Sequence, residues 1–539
     1  MKGLSTKEHE RFDELYRTPC EKRKQEILHA FANTESLDTL IYLIPFAIKS
    51  DETIQNAARE TIDHIAFQQC RGEWIGLDQY IRRLNPYLYY KNLSMWIKWH
   101  QLSPTVVRSM SIIEEADVSF LGLCSFHRNG YVREAAVESL AGHFSGKEIP
   151  FLLLRMNDGV PNIRYKAHLA LNVRIRMGSA KYFLKFIHLV KHLAKLYHRE
   201  NCSALVEEIF SLLRHPDSQD VLISGFYEQD QAVRRFSYEL AISLPEVDHH
   251  FVISEALRQH DGMIRLQVAK YICKIDQIDE VMPWLERIKR DTFPPVRQLA
   301  LQTSVERFPD QSLAELHLAL LDRNKTIRQM ARYYLQGEAV DFPTFYRRKL
   351  KEIELRRLPN AIMGLGETGT KSDSQWVAAF VNHERARVHR SAIKVLGVLD
   401  PKGYMEVFFQ ALQSDKRGLS REARDILADH VVLGHANLLE DLYLKDLPLH
   451  AKKNILYLFS KLSKADNIFY FIRACNTQEE ETRKVAMNYI ISWIHGYNMD
   501  FFIAMSAEKQ QQLKKGFYEV KEWFSAETIH QFAFKYDHE

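Results

Sequence analysis

One short phrase recurs along this chain of 539 residues: an apolar residue, an arginine, two variable residues and a small residue, at the opening of a helix-forming run. It stands as Val132-Arg133 with Ala136, Ile163-Arg164 with Ala167, Val296-Arg297 with Ala300, Ile327-Arg328 with Ala331 and Thr482-Arg483 with Ala486. The corresponding positions run Arg133, Arg164, Arg234, Arg265, Arg297, Arg328, His389, Ser420, Lys452 and Arg483, in steps of 31, 70, 31, 32, 31, 61, 31, 32 and 31. The step of 61 is two repeats with Arg357 near the missing midpoint, and the step of 70 is two repeats with eight extra residues, 70 less twice 31. A fixed period of this length is the mark of an array of small units, each unable to bury its own apolar face.

Within a unit the apolar residues keep helical spacing. Leu313, Leu316, Leu320 and Leu321 stripe a first helix; Val296, Leu299, Ala300 and Thr303 stripe a second. The chain therefore reads as all-α, an α-solenoid of stacked helical hairpins with a period of about 31 residues. Asp158, Asp230, Asp261, Asp291 and Asp322 stand four or six residues before an arginine of the series. A turn aspartate and an arginine in the next helical turn are expected to hydrogen-bond to each other and to the turn backbone. The column Arg133, Arg164, Arg234, Arg265, Arg297, Arg328 and Arg483 is thus read as a structural ladder rather than a ligand site.

Three segments follow from where this pattern holds. Residues 1–120 are helical but irregular and form an N-terminal cap, 121–495 form the repeat solenoid, and 496–539 form C-terminal capping helices. The aromatic-rich stretch from Tyr80 to Trp99, with Tyr87, Tyr89, Tyr90 and Trp96, is read as part of that cap. The clearest repeat is Ala361 to Pro401, with A-I-M-G-L-G-E-T-G and then R-V-H-R-S-A-I-K-V-L-G-V-L-D-P. It resembles the HEAT-like repeat of the phycobilisome-lyase type, whose units end in Leu-Gly and whose second helix begins Val-Arg-x-x-Ala. The resemblance spans Leu121 to Trp493, with His389 and Ser420 departing from the usual arginine, and it implies the solenoid. It does not imply one activity, because such repeats serve scaffolds, chromophore lyases, a hydroxylase and DNA glycosylases.

Composition narrows the classes. No long apolar run is free of charge, so no membrane-spanning helix is expected, and the N-terminal residues lack the apolar core of a secretory signal. A cytoplasmic address is the expectation. The six cysteines are widely separated and form no C-x-x-C pair, so neither a disulfide framework nor a zinc site is expected. Gly364, Gly366 and Gly369 spell GxGxxG, but no strand precedes them, and they are read as helix caps and a tight turn. The His-Glu pairs at His9, His383 and His538 do not recur on paired repeats, so no di-iron site, no other metal and no cofactor is expected. No catalytic residue stands out, and an enzyme is the less favoured reading.

A net charge of +4 leaves any electrostatic function to local clustering. From Lys181 to Arg199 there is no acidic residue, and Lys181, Lys185, His188, His192, Lys195 and Arg199 share one face if the segment is a single helix. The face reads either as an ordinary solvated face or as a surface for an acidic partner. A second basic cluster holds Arg347, Arg348, Lys351, Arg356 and Arg357. The function expected is a non-enzymatic scaffold or adaptor that grips a protein partner, with an acidic surface, through the solenoid. The alternative is a nucleic-acid-binding protein, possibly DNA-glycosylase-like, that uses the basic helix and a groove against phosphates.

Overall fold

The computed structural model describes residues 4–33, 38–48, 51–69, 74–83, 99–110, 117–196, 200–431, 433–477, 479–496 and 505–536. All regular elements among them are helices, and helices near in sequence pack on one another in succession along the chain, the fold of an all-α solenoid. It forms two compact units, Met1–Ile288 and Lys289–Glu539. Most of the aromatic-rich stretch from Tyr80 to Trp99 lies outside the described residues.

The second helices begin at Gly130, Pro161, Gln231, Gly262, Pro294, Lys325, Ala386, Arg417, Leu449 and Glu480. Each start lies three residues before the corresponding position of the sequence series, so that position is the fourth residue of its helix and not the first. The reason for the constant offset is local. The amide of Arg133 donates to Asn129 O, that of Arg265 to Asp261 O and that of Arg328 to Asn324 O, which are the first i to i−4 bonds of their helices. The residue four before the arginine is the cap: Asn129, Asp230, Asp261 and Asn324 accept amide hydrogen bonds at the helix start through their side chains. Such residues look like turn in a sequence.

The two long steps also resolve. In the step of 70 the repeat's first helix is broken into Ala180–Lys185 and Ile187–Ala194, followed by the second helix Glu200–Arg214. In the step of 61 the second helix is Leu358–Thr368, with Arg357 immediately before it and Ala361 at the fourth position.

The arginines follow one rule. Nη1 reaches back over the first turn to the carbonyls six and five residues earlier: Arg133 to His127 and Arg128, both 3.0 Å; Arg265 to Gln259 at 2.6 Å and His260 at 3.1 Å; Arg297 to Asp291 at 2.7 Å and Thr292 at 3.3 Å. These carbonyls end the preceding helix and turn, where oxygens have no helical donor. At Arg133 and Arg297 the expected carboxylate partner is corrected: it comes from the next repeat and not from the same turn. Arg133 makes two bonds of 2.9 Å to Asp158, and Arg297 bonds Asp322 at 3.0 and 2.7 Å, each acid 25 residues further on. Where the next acid is displaced by the long step, Arg328 pairs with Glu367 instead. The turn aspartate keeps its own loop closed as well, with Val160 N donating to Asp158 at 3.0 Å and Asn324 N to Asp322 at 2.7 Å. Arg133, Arg297 and Arg328 therefore join the two helices of their own hairpin and that hairpin to a later one.

Arg297→Ala is accordingly expected to lower stability by about 1–3 kcal/mol, because it leaves two carbonyls and Asp322 short of a donor. Urea titration followed by circular dichroism checks this. A variant that keeps wild-type stability but loses a binding partner would make the column a ligand surface.

Two of the three glycines of the GxGxxG run do not cap anything, which corrects that reading. Gly364 and Gly366 lie inside Leu358–Thr368, and a Cβ there would come within 2.2 Å of the Tyr346 ring and 2.6 Å of Val395. They are small so that neighbouring helices can approach. Only Gly369 is a cap, its amide donating to Leu365 O at 2.7 Å. The helices Ala507–Glu519 and Ala526–Tyr536 pack on Lys464–Cys475 and Glu480–His495, and Phe517 and Phe532 stack with centroids 3.9 Å apart.

Candidate functional site

The basic segment is two helices, not one. Phe186, with φ −104° and ψ 28°, is far from helical values and separates Ala180–Lys185 from Ile187–Ala194. Phe183, Leu184, Phe186, Ile187, Leu189, Val190 and Leu193 are buried and anchor both pieces. The break changes the face. Lys181, Lys185 and Lys195 are exposed, but His188 and His192 turn partly inward, and Arg199 lies outside the described residues.

Both ring nitrogens of His188 are buried with no hydrogen-bond partner. Burial depresses its pKa, opposed by the charge of Asp230. His192 is also depressed, by burial first and then by Lys195. It lines a cavity of about 170 Å³ together with Asp78, Arg82 and Asn157. Neither imidazole gains charge readily on mild acidification, so the positive face read in the sequence as including both histidines is carried by lysine.

The second cluster divides. Arg347 is committed to Asp373 at 2.6 Å, Arg348 reaches Glu352 at 3.7 Å, and the Lys351 ammonium sits 4.8 Å from the Trp376 ring centroid. Arg356 and Arg357 are exposed and make no ion pair with any described residue.

The surface feature that sequence reasoning missed is apolar. Helix Pro161–Arg176 buries Ile163, Ala167, Ala170, Leu171 and Arg174, yet its other side carries Tyr165, Leu169 and Val173, with Met177 just past its end, all exposed at 45–62%. Four residues separate each from the next, so they form one ridge along the helix. On the other flank of the same helix, Ile175 with Ala204 and Leu212 of Glu200–Arg214 line an open groove of about 430 Å³ that Glu207, Glu208 and His215 flank. The signal was present as a helix apolar on two opposed faces, which a single-stripe reading assigns wholly to the core.

No protein-family model matches the chain, and no curated protein matches it. Among solved structures, one of importin beta from a polyethylene glycol condition is similar over 96% of this chain and 80% of that chain, at 12% identity and a TM-score of 0.30. A complex of Kap95p with RanGDP is similar over 92% of this chain, at 10% identity and a TM-score of 0.34, and this chain spans only 66% of its length. For the karyopherin Kap121p the shares are 90% and 58%, at 10% identity and a TM-score of 0.32. With likeness at this level, the solenoid assignment rests on the chain's own helix order and packing.

Proposed function

We propose that this chain is a non-enzymatic adaptor that holds a protein partner on the surface of its first unit, across the ridge Tyr165, Leu169, Val173 and Met177. The ridge is the observation that carries the reading. Four exposed apolar side chains in register are costly to leave in water and offer nothing to a phosphate backbone, whereas the centre of a protein interface is apolar and poor in charge. Lys181, Lys185 and Lys195, exposed on or at the end of the two helices that follow, add positive charge to the same unit, which suits a partner whose apolar patch is bordered by acids. The Val-Arg-x-x-Ala helix starts support the finer reading of these units as the phycobilisome-lyase type of HEAT-like repeat. A cytoplasmic setting belongs to the same proposal and is supported by Cys20 and Cys475, which are free thiols.

Leu169→Asp with Val173→Asp is expected to abolish partner binding, while Lys181, Lys185 and Lys195 changed together to Glu weaken it about tenfold at low salt and less at high salt. Both variants should keep the wild-type melting temperature, because every changed side chain is exposed. Calorimetry and affinity capture with and without nuclease decide the matter. Binding that survives the ridge change, falls steeply with salt and disappears with nuclease would assign the surface to nucleic acid.

A further inference from the structure

We propose that the second unit carries a separate docking strip for an extended acidic peptide, formed by Arg356 and Arg357, Arg385 and Arg387, and Lys416 and Arg417. The pairs occupy the turns that open three successive second helices, Leu358–Thr368, Ala386–Leu399 and Arg417–Leu427. These helices pack each against the next, so the turns stand side by side. Arg387 reaches Asn360 at 3.5 Å, and the charge of Lys416 is felt at His389, which ties the three turns together in space.

All six side chains belong to exposed residues, and none makes an ion pair with a described residue. Elsewhere the residue before a second helix is often Asn or Asp with its oxygen on the first amides, as at Asn129, Asp230, Asp261 and Asn324. Here it is Arg357, Arg385 and Lys416, and none of the three provides a side-chain cap. Cations are the wrong sign for a helix start, where amide groups already present positive potential. Three such starts in succession concentrate positive charge, relieved locally by Glu354, Glu384 and Asp415, all exposed. The strip ends where the sign changes: the turn two repeats on is Glu479, Glu480 and Glu481, and Glu479 and Glu481 are already held by Lys452 and Lys453.

Charge alone fits any polyanion; two further features select a peptide. Packed helices lie about 8–10 Å apart, which is the distance three residues of extended chain cover at about 3.3–3.6 Å each. A peptide with a carboxylate at every third residue thus meets one cationic pair per repeat. Single-stranded nucleic acid instead calls for aromatic stacking platforms, and residues 354–358, 382–391 and 413–421 contain no Phe, Tyr or Trp.

The test uses the full chain and a fluorescent twelve-residue peptide, Glu-Gly-Ser four times over, with oligothymidylate of equal charge as the second probe. Anisotropy is expected to show peptide binding that weakens at least tenfold in Arg357→Glu/Arg387→Glu/Arg417→Glu and is unchanged in Leu169→Asp/Val173→Asp, which separates this strip from the ridge. Helical circular dichroism should be the same in all three proteins. Unchanged peptide affinity after the triple reversal would overturn the proposal, as would oligothymidylate binding at least as tightly as the peptide.

Discussion

Asp158→Ala is expected to destabilise the first unit by about 3–5 kcal/mol, more than any other single truncation in the repeats. Asp158 is fully buried and serves three guanidinium groups at once: Arg133 through two bonds of 2.9 Å, Arg155 at 2.9 Å and Arg82 at 3.0 Å. Asp78 closes the network from the other side, 2.5 Å from Arg155 and 3.0 Å from Arg82. Arg155 is itself without solvent exposure and lies 5.3 Å from the Phe126 ring centroid. With Asp158 gone, two buried cations keep at most one carboxylate between them, and an uncompensated buried charge is what makes breaking such a pair costly. Burial works to raise the Asp158 pKa, but the bonds from Arg133 and the charge of Arg155 overcome it and hold the group far below the ordinary carboxylate range. A depressed folded pKa means a contribution present in full above about pH 4 and lost only as pH falls towards the folded value. Asp158→Asn, which preserves shape and the cap on Val160, is expected to cost less. Urea unfolding at pH 7 measures both, and a loss below about 1 kcal/mol for the alanine variant would mean that the network is solvated.

Acid acts on a different group. Lowering the pH from 7 to 5 is expected to remove about 2 kcal/mol through His127 alone. Its Nε2 lies 3.0 Å from Trp99 O, and its Nδ1 accepts the Asn129 amide at 3.0 Å. That arrangement requires a neutral ring with the proton on Nε2, since a protonated Nδ1 has no lone pair for Asn129, the residue that caps helix Gly130–Ala141. Burial is the main reason its pKa falls to about 4, against the bond to Trp99 and with help from His100. Because the folded pKa is below the unfolded value of about 6.5, the stabilisation is complete above that pH and drains away as pH drops towards 4. Nuclear magnetic resonance titration of the His127 ring should find a midpoint near 4, and one near 6.5 would contradict this account.

The fold was legible in the sequence because the repeat is enforced by chemistry that needs particular residues. An arginine that must reach carbonyls five and six residues back and an acid of the next repeat cannot drift, so it marks a register. Its position within the helix was not legible, since Asn129 or Asp261 before it looks like turn while already capping helix. The carboxylate partner was missed for a related reason: 25 residues of sequence separate Arg133 from Asp158, and only stacking brings them together. Gly364 illustrates the same limit, because what makes it glycine is a Tyr346 ring supplied by another helix. The lysines of the basic segment could be read as exposed, but not the break at Phe186 that turns His188 inward. The ridge went unread because an apolar residue at helical spacing is by default assigned to the core, and only burial separates Leu169 from Leu171.

The most direct test of the adaptor reading is a photo-crosslinking amino acid at Val173, activated in cells of the native host. The account predicts one discrete protein adduct, resistant to nuclease and lost when Leu169→Asp is added to a chain that remains helical by circular dichroism. An adduct to nucleic acid, an adduct indifferent to Leu169→Asp, or no adduct at all would contradict it.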